Sequence, residues 1–366
     1  QLSISYDGSL MVAGNEDEGD ATIYLFSKDS STPLWTFNTG AERIYCTSIS
    51  PDGHFITASS QDTDNIIENI YYFRKTSSTP LYIVPTADQV YKALAMSDDG
   101  QYIFAGAYDS KRLYFLHYTK SFFLWNYEAD DDILGVDLSA DGKYIAASSQ
   151  DDSVYFFDKD SGTPLWSYET TTGGPMQSVA VSADGEYIVA GSQDTKVYLF
   201  DKDSSTPLWS YSTGDDVYSV TISADGEYIA IGSEDDKVYL FDKDSSTPLW
   251  SYEIEGSVYL YTVDISADGK YIAVGSYDDK VYLFSKDSNT PLWSYGTGNN
   301  VRSVAISADG KYVAAGSEDD KVYTFKNNLA SRPSIIPYGP SHDSDHYTQP
   351  TLRWFAGSDD RSNLKF

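Results

Sequence analysis

The loop Asp201-Lys202-Asp203-Ser204-Ser205 alternates side chains that end in oxygen. Asp201, Asp203 and Ser205 are the ligand types that calcium takes, since it is a hard cation held by oxygen atoms. A calcium loop of the familiar kind, however, carries more carboxylates, a Gly and a terminal bidentate Glu. The loop recurs at Asp158, Asp242 and Ser285, which suits a hairpin whose Asp and Ser side chains hold their own backbone amides. The tripeptides Glu234-Asp235-Asp236 and Glu318-Asp319-Asp320 cluster carboxylates that could hold divalent ions or a basic partner. Charged hairpin tips serve equally as solvated guards against edge pairing. His342, Asp343, Asp345 and His346 form the one His-rich group; zinc takes such ligands, but the spacing matches no familiar site. The chain contains no Gly-x-Ser-x-Gly, His-Glu-x-x-His or phosphate-loop motif. Carboxylates are so abundant that choosing two as an acid–base pair would be arbitrary. No catalytic or cofactor-binding residue is therefore expected. Calcium is the one cofactor considered, with Asp201, Asp203 and Ser205 as its candidate ligands.

These loops belong to a repeated unit. Val217–Tyr252 reads VYSVTIS, ADG, EYIAIGS, EDD, KVYLFD, KDSSTP, LWSY. Short runs rich in Val, Ile, Tyr and Phe, bounded by Asp, Gly, Ser and Pro, predict four antiparallel strands. Asp-Gly, a strong tight-turn signal, recurs at Asp7, Asp52, Asp99, Asp141, Asp184, Asp225, Asp268 and Asp309 at intervals of 45, 47, 42, 43, 41, 43 and 41 residues. Eight copies at this period predict an all-β, eight-bladed propeller of four-stranded antiparallel blades. The fourth strand is marked by Trp35, Trp125, Trp166, Trp209, Trp250 and Trp293, with Tyr82 in the second unit. That leaves one outer strand to find. A segment preceding Gln1 would supply it, or Ser334–Tyr338 would, or the last blade has three strands and an unpaired edge.

Strand faces fit blades stacked on both sides. In Tyr228–Ser233, Tyr228, Ala230 and Gly232 share one face, and Ile229 and Ile231 the other. Both faces are apolar but differ in bulk, as interleaved sheets require. Two units diverge. The second has extra residues around Asp64–Asn69, and the third reads FLHYTKSFFLWNY and carries Lys111 beside Arg112. Either a binding face or simple drift accounts for this. The expected organisation is a propeller over residues 1–326, a linker over 327–333, and an incomplete β-sandwich-like segment over 334–366 containing Trp354. A segment of that length buries no core alone.

The formal net charge is −30, which argues against nucleic acid or anionic membrane as a partner. A solvated acidic surface keeps a large β protein soluble. A single cysteine, Cys46, rules out an intrachain disulfide. No apolar run approaches the roughly 18 residues of a membrane helix.

The repeat resembles the β-propellers built from tryptophan–aspartate (WD) repeats, from quinoprotein-like repeats, and from the repeats of archaeal surface-layer proteins, over about residues 1–326. Phe241-Asp242 stands where a WD repeat has Trp-Asp, although the Gly-His that opens those repeats is missing. LFDKDSSTPLWSY resembles the quinoprotein pattern in which an Asp, a Thr and a following Trp lock blade to blade, with Pro207 replacing the usual Gly after Thr206. Quinoprotein dehydrogenases use adjacent cysteines and a calcium-anchored cofactor, and one cysteine excludes the pair. The tail resembles the opening of an immunoglobulin-like or fibronectin type III-like domain. Together these resemblances imply a non-catalytic structural or protein-interaction module of a larger extracellular or cell-surface protein of archaeal origin. Its partner would be a protein or cell-surface component, or a second copy through an unpaired blade edge. The alternatives are an enzyme or a cofactor or glycan binder using the central funnel, and an intracellular (cytoplasmic) scaffold of the WD type.

Overall fold

The computed structural model describes residues 1–16, 20–61, 68–86, 93–108, 110–119, 123–254, 260–327 and 334–338. Its 32 strands form eight four-stranded antiparallel sheets, each built from consecutive strands. Blade 1 spans Leu2–Asn38, blade 2 Arg43–Thr86, blade 3 Leu94–Glu128 and blade 4 Ile133–Glu169. Blades 5 to 8 span Met176–Ser212, Val217–Glu253, Leu260–Gly296 and Val301–Tyr338. The first strand of each blade touches the first strands of its neighbours, and Leu2–Ile4 touches Val301–Ile306, so the inner strands close a ring around a channel. Ser334–Tyr338 pairs antiparallel with Lys321–Lys326 as the outer strand of blade 8. Of the three sources left open by the sequence, this is the one used, and no blade lacks its fourth strand. The rest of the tail, with the His342–His346 group, lies outside the described residues.

Local chemistry sets each blade's register. In blade 6 the Asp225 carboxylate accepts from the Ser223 hydroxyl at 2.6 Å and from Glu227 N–H at 3.1 Å. The Ser223 hydroxyl oxygen in turn accepts from Tyr228 N–H at 3.0 Å. Gly226 closes the turn with φ +73°, a conformation that costs a side-chain-bearing residue energy. A Cβ at Gly226 would also lie 2.7 Å from Cδ2 of Tyr187 in blade 5. The same glycine-on-ring seat closes the circle, where Gly8 of blade 1 rests on Tyr312 of blade 8.

The core lies between blades. Ile229 and Ile231 pack on Val189, Val197 and Leu199 of blade 5. From the other face of the same strand, Ala230 packs with Val263, Ile272 and Val274 of blade 7. Small residues meet large ones at Ala230 and at the closing seam, whereas the seam between blades 5 and 6 packs branched aliphatic residues together. The last seam is filled by Leu2, Met11, Ala13 and Phe26 against Ala305 and Ala314.

Two further links run blade to blade. Backbone bonds between the inner turns pass around the ring: Ala183 N–H to Ala224 O at 3.1 Å, Ala224 to Ala267 at 3.1 Å, Ala267 to Ala308 at 3.0 Å, and Ala308 to Tyr6 at 3.0 Å. Tyr6, Asp98 and Ala140 continue it, and the one place without a donor is Pro51, which has no N–H. On the outside, the Trp indole packs on a Phe of the next blade, as Trp209 does on Phe241 with centroids 5.4 Å apart and the rings tilted. Its Nε1–H donates to a backbone oxygen there: Trp209 to Lys243 O at 2.7 Å, and Trp35, Trp125, Trp166 and Trp250 likewise. This is the tryptophan lock that the quinoprotein-like pattern implies. Trp293 packs on Phe325, but among the described residues its buried Nε1 has no hydrogen-bond partner.

Candidate functional site in the central channel

The inner strands have one sheet neighbour each, so one edge of their backbone is left to other donors and acceptors. Side chains of the preceding blade fill that need. Ser178 Oγ accepts from Val220 N–H at 3.3 Å, Ser219 Oγ from Val263 N–H at 3.1 Å, and Thr262 Oγ1 from Val304 N–H at 3.4 Å. Two residues before each inner-turn serine comes a second such place. Six blades carry Ser3, Ser48, Ala95, Ala180, Thr221 and Ala305 there. Blades 4 and 7 carry Asp137 and Asp264 instead.

These two carboxylates bridge seams. Asp137 Oδ2 accepts from Val181 N–H of blade 5 at 2.8 Å. Asp264 Oδ2 accepts from Ile306 N–H of blade 8 at 2.8 Å, and its Oδ1 from Ile265 N–H at 2.9 Å. Each side chain keeps some solvent contact in the channel, yet protein surrounds its carboxylate. Burial pushes Asp137 up to about 6; the N–H groups of Val181 and Leu138 oppose this, while Asp264 and Asp98 add to it. Burial likewise pushes Asp264 up to about 6, against the N–H groups of Ile306 and Ile265 and the Thr221 hydroxyl. Perturbed carboxylates in a channel are functional-site candidates on physical grounds. Sequence reasoning passed over both. The available signal was a charged residue at a strand position where the other units have Ser, Thr or Ala.

The residues singled out from sequence are otherwise placed. Asp201 ends the third strand of blade 5, and its Oδ1 accepts from Asp203 N–H at 2.9 Å. The Asp203 carboxylate meets Lys202 Nζ at 2.7 Å, and Ser205 lies in the following bend, half-buried. Asp201 thus holds its own loop's backbone. The tripeptide Glu234-Asp235-Asp236 is split by the fold. Asp235 turns inward, accepting from the Tyr239 hydroxyl at 2.5 Å and from Gly214 N–H at 2.8 Å. Asp236 supplies the positive φ, 63°, of the hairpin. Glu234 instead joins Asp215 and Asp216, with ligand atoms within 4.8 Å of one another, the one such grouping among the described residues. Burial, then Asp216 and Asp215, raise the Glu234 carboxyl. In the second tripeptide, Asp319 repeats the inward role with Tyr323 at 2.5 Å, and Glu318 pairs with Arg302.

In the divergent third unit, Lys111 meets Asp131 at 3.2 Å and Arg112 meets Glu128 at 3.2 Å. A shallow cavity of about 300 Å³ opens there, lined by Tyr102, Phe115, His117 and Leu124 of blade 3 and Lys159 and Asp160 of blade 4. Tyr102 stacks on Phe115 with centroids 5.4 Å apart, and Lys159 pairs with Asp160 at 2.6 Å. The extra residues of the second unit lie mostly outside the described residues. Cys46 is buried on the inner strand of blade 2.

Three families match the chain. The one described as outer membrane protein assembly factor BamB matches residues 19–224, more than half of the sequence. A family of unknown function matches residues 176–280, and the WD domain, G-beta repeat, matches residues 289–326. No curated protein matches the chain.

Proposed function

We propose, on the premise that this chain belongs to the family of the outer membrane protein assembly factor BamB, that it is a rigid, non-catalytic interaction module of a larger extracellular or cell-surface protein, serving protein assembly there. The observation that carries this reading is how the repeated polar side chains are used. The indoles of Trp35, Trp125, Trp166, Trp209 and Trp250, the turn aspartates such as Asp225, and hairpin aspartates such as Asp235 with their tyrosine hydroxyls are bonded within a blade or across a seam. A unit repeated for such bonds builds a stiff disc, whose rims and circumference then meet partners. The circumference supports contact of this kind: the leucine preceding the outer aromatic residue is about half exposed at Leu34, Leu165, Leu208 and Leu249, at 51–54 %. Among the described residues no helix is long and apolar enough to cross a membrane.

A photo-crosslinking residue at Leu208 in the native protein, followed by fractionation of intact cells, tests the reading. The expected result is one dominant crosslinked protein of the cell envelope. Recovery of the native protein from the cytosol without such an adduct would sink it. A second reading, a channel that takes a ligand, is favoured by Asp137 and Asp264, the residues that break the equivalence of the blades. Its test is calorimetry with small organic cations, in which heat lost in an Asp137→Asn variant supports it and no heat with wild type ends it.

A further inference from the structure

We propose that Asp137 and Asp264 make the closed ring proton-responsive, so that proton uptake in the channel tightens the ring and ionisation loosens it. The argument begins with position. Both carboxylates lie on inner strands and cross a seam, Asp137 from blade 4 to blade 5 and Asp264 from blade 7 to blade 8. The equivalent sites in the other blades are uncharged, so these two are exceptions set into the channel wall. A carboxylate drawn into such a wall loses hydration that two N–H bonds replace only in part.

Among the described residues no counter-charge acts on either carboxylate. The charged groups that act on Asp137 are Asp264 and Asp98, both acidic. Asp98 lies in the turn after the inner strand of blade 3, with its N–H bonded to Ala140 O at 2.9 Å. Thr221 of blade 6 offers Asp264 a neutral hydroxyl. Among the described inner-strand residues the cations are Arg43 and Arg302. Both lie toward the opposite end of their strands, and they pair with Glu16 at 3.1 Å and with Glu318.

The sign follows from linkage. The unfolded value is 3.8 and the folded value about 6 for each group. The folded ring therefore binds the proton more tightly than the unfolded chain does. This contribution to stability is full below pH 3.8, falls as pH rises toward about 6, and is absent above it. It runs opposite to that of the turn aspartates Asp7, Asp52, Asp268 and Asp309, whose carboxyls are held below the usual range. The channel pair thus offsets part of the acid sensitivity of the turns.

The test compares wild type with the Asp137→Asn/Asp264→Asn double variant between pH 4 and 8, by denaturant unfolding. Asparagine keeps a carbonyl acceptor for the Val181 and Ile306 N–H groups and carries no charge. The double variant is expected to have the larger folded-to-unfolded ratio at pH 8, by about tenfold or more per site, with the gap closing as pH falls through 6. Parallel pH profiles for the two proteins would overturn the proposal. NMR titration of the wild-type aspartate carboxyl carbons gives a reading that needs no variant. Midpoints near 6 for two groups support the proposal, and midpoints near 4 for all of them refute it.

Discussion

Asp235 accepts from the Tyr239 hydroxyl at 2.5 Å, from Gly214 N–H at 2.8 Å and from Lys237 N–H at 3.2 Å. Burial and the Asp235 charge push the Tyr239 phenol far above its ordinary range, so it remains a donor at any working pH. Tyr239→Phe leaves the ring in place and removes one charge-assisted bond. Its expected cost is about 1.5–3 kcal/mol, read as a lower urea midpoint with an unchanged slope. Asp309 shows the matching effect in the inner turns. Burial would raise its carboxyl, but bonds from Lys311, its backbone N–H and Ser307 outweigh this and hold it below the usual range. Its contribution is present above pH 3.8 and is lost as pH falls below that value. Asp309→Asn is expected to flatten the acid limb of the stability profile below pH 4, measured by unfolding at stepped pH.

Gly226 and the tryptophans act at the scale of strands and seams. Alanine at Gly226 meets both an unfavourable φ and the Tyr187 ring. The expected loss is about 1–3 kcal/mol, visible as a lower melting temperature. The tryptophan seams give a paired comparison. Trp209→Phe loses the Nε1–H bond to Lys243 O as well as indole contact area. Trp293→Phe loses area alone and relieves a buried donor that has no partner among the described residues. The first substitution is expected to cost about 1 kcal/mol more than the second, and equal costs in thermal unfolding would contradict the lock. Blade 8 carries Asn327 where blades 4 to 7 have the lysine whose carbonyl accepts from the indole, and its Nδ2 donates to Gly310 O at 3.0 Å.

Closure belongs to the whole molecule. Chain-adjacent blades are tethered covalently, whereas blades 8 and 1 are held by the Ala308–Tyr6 bond, the Gly8–Tyr312 seat and the apolar cluster around Met11 and Ala314. The outer strand Ser334–Tyr338 covers the edge of Lys321–Lys326. A protein truncated after Asn327 exposes that edge, which is a template for pairing with another chain. It is expected to melt earlier and to form dimers or larger species, detected by light scattering. A truncated protein that stays monomeric with an unchanged melting temperature would show that this strand adds nothing to the disc.

The Asp-Gly turns, the Trp-marked strands and the alternation of bulk in runs such as Tyr228–Ser233 were legible without coordinates. They are local signals: a positive φ, a hydroxyl-to-carboxylate bond two residues away, and a two-residue periodicity. Eight in-register copies of a unit that cannot bury both faces alone leave a closed stack of blades as the solution. Other features rest on contacts between residues distant in the chain. Ser334–Tyr338 reads both as the start of the tail and as one option for the outer strand of blade 8, and pairing with Lys321–Lys326 decides its role. The acidic tripeptide at Glu234 reads as one cluster, but turn geometry sends Asp235 inward and leaves Glu234 beside Asp215 and Asp216. Asp137 and Asp264 are two aspartates among the chain's many acidic residues until eight inner strands meet around one axis. Their environment is then set by desolvation and, at Asp137, by the charges of Asp264 and Asp98, and those depend on distance in space rather than on position along the chain.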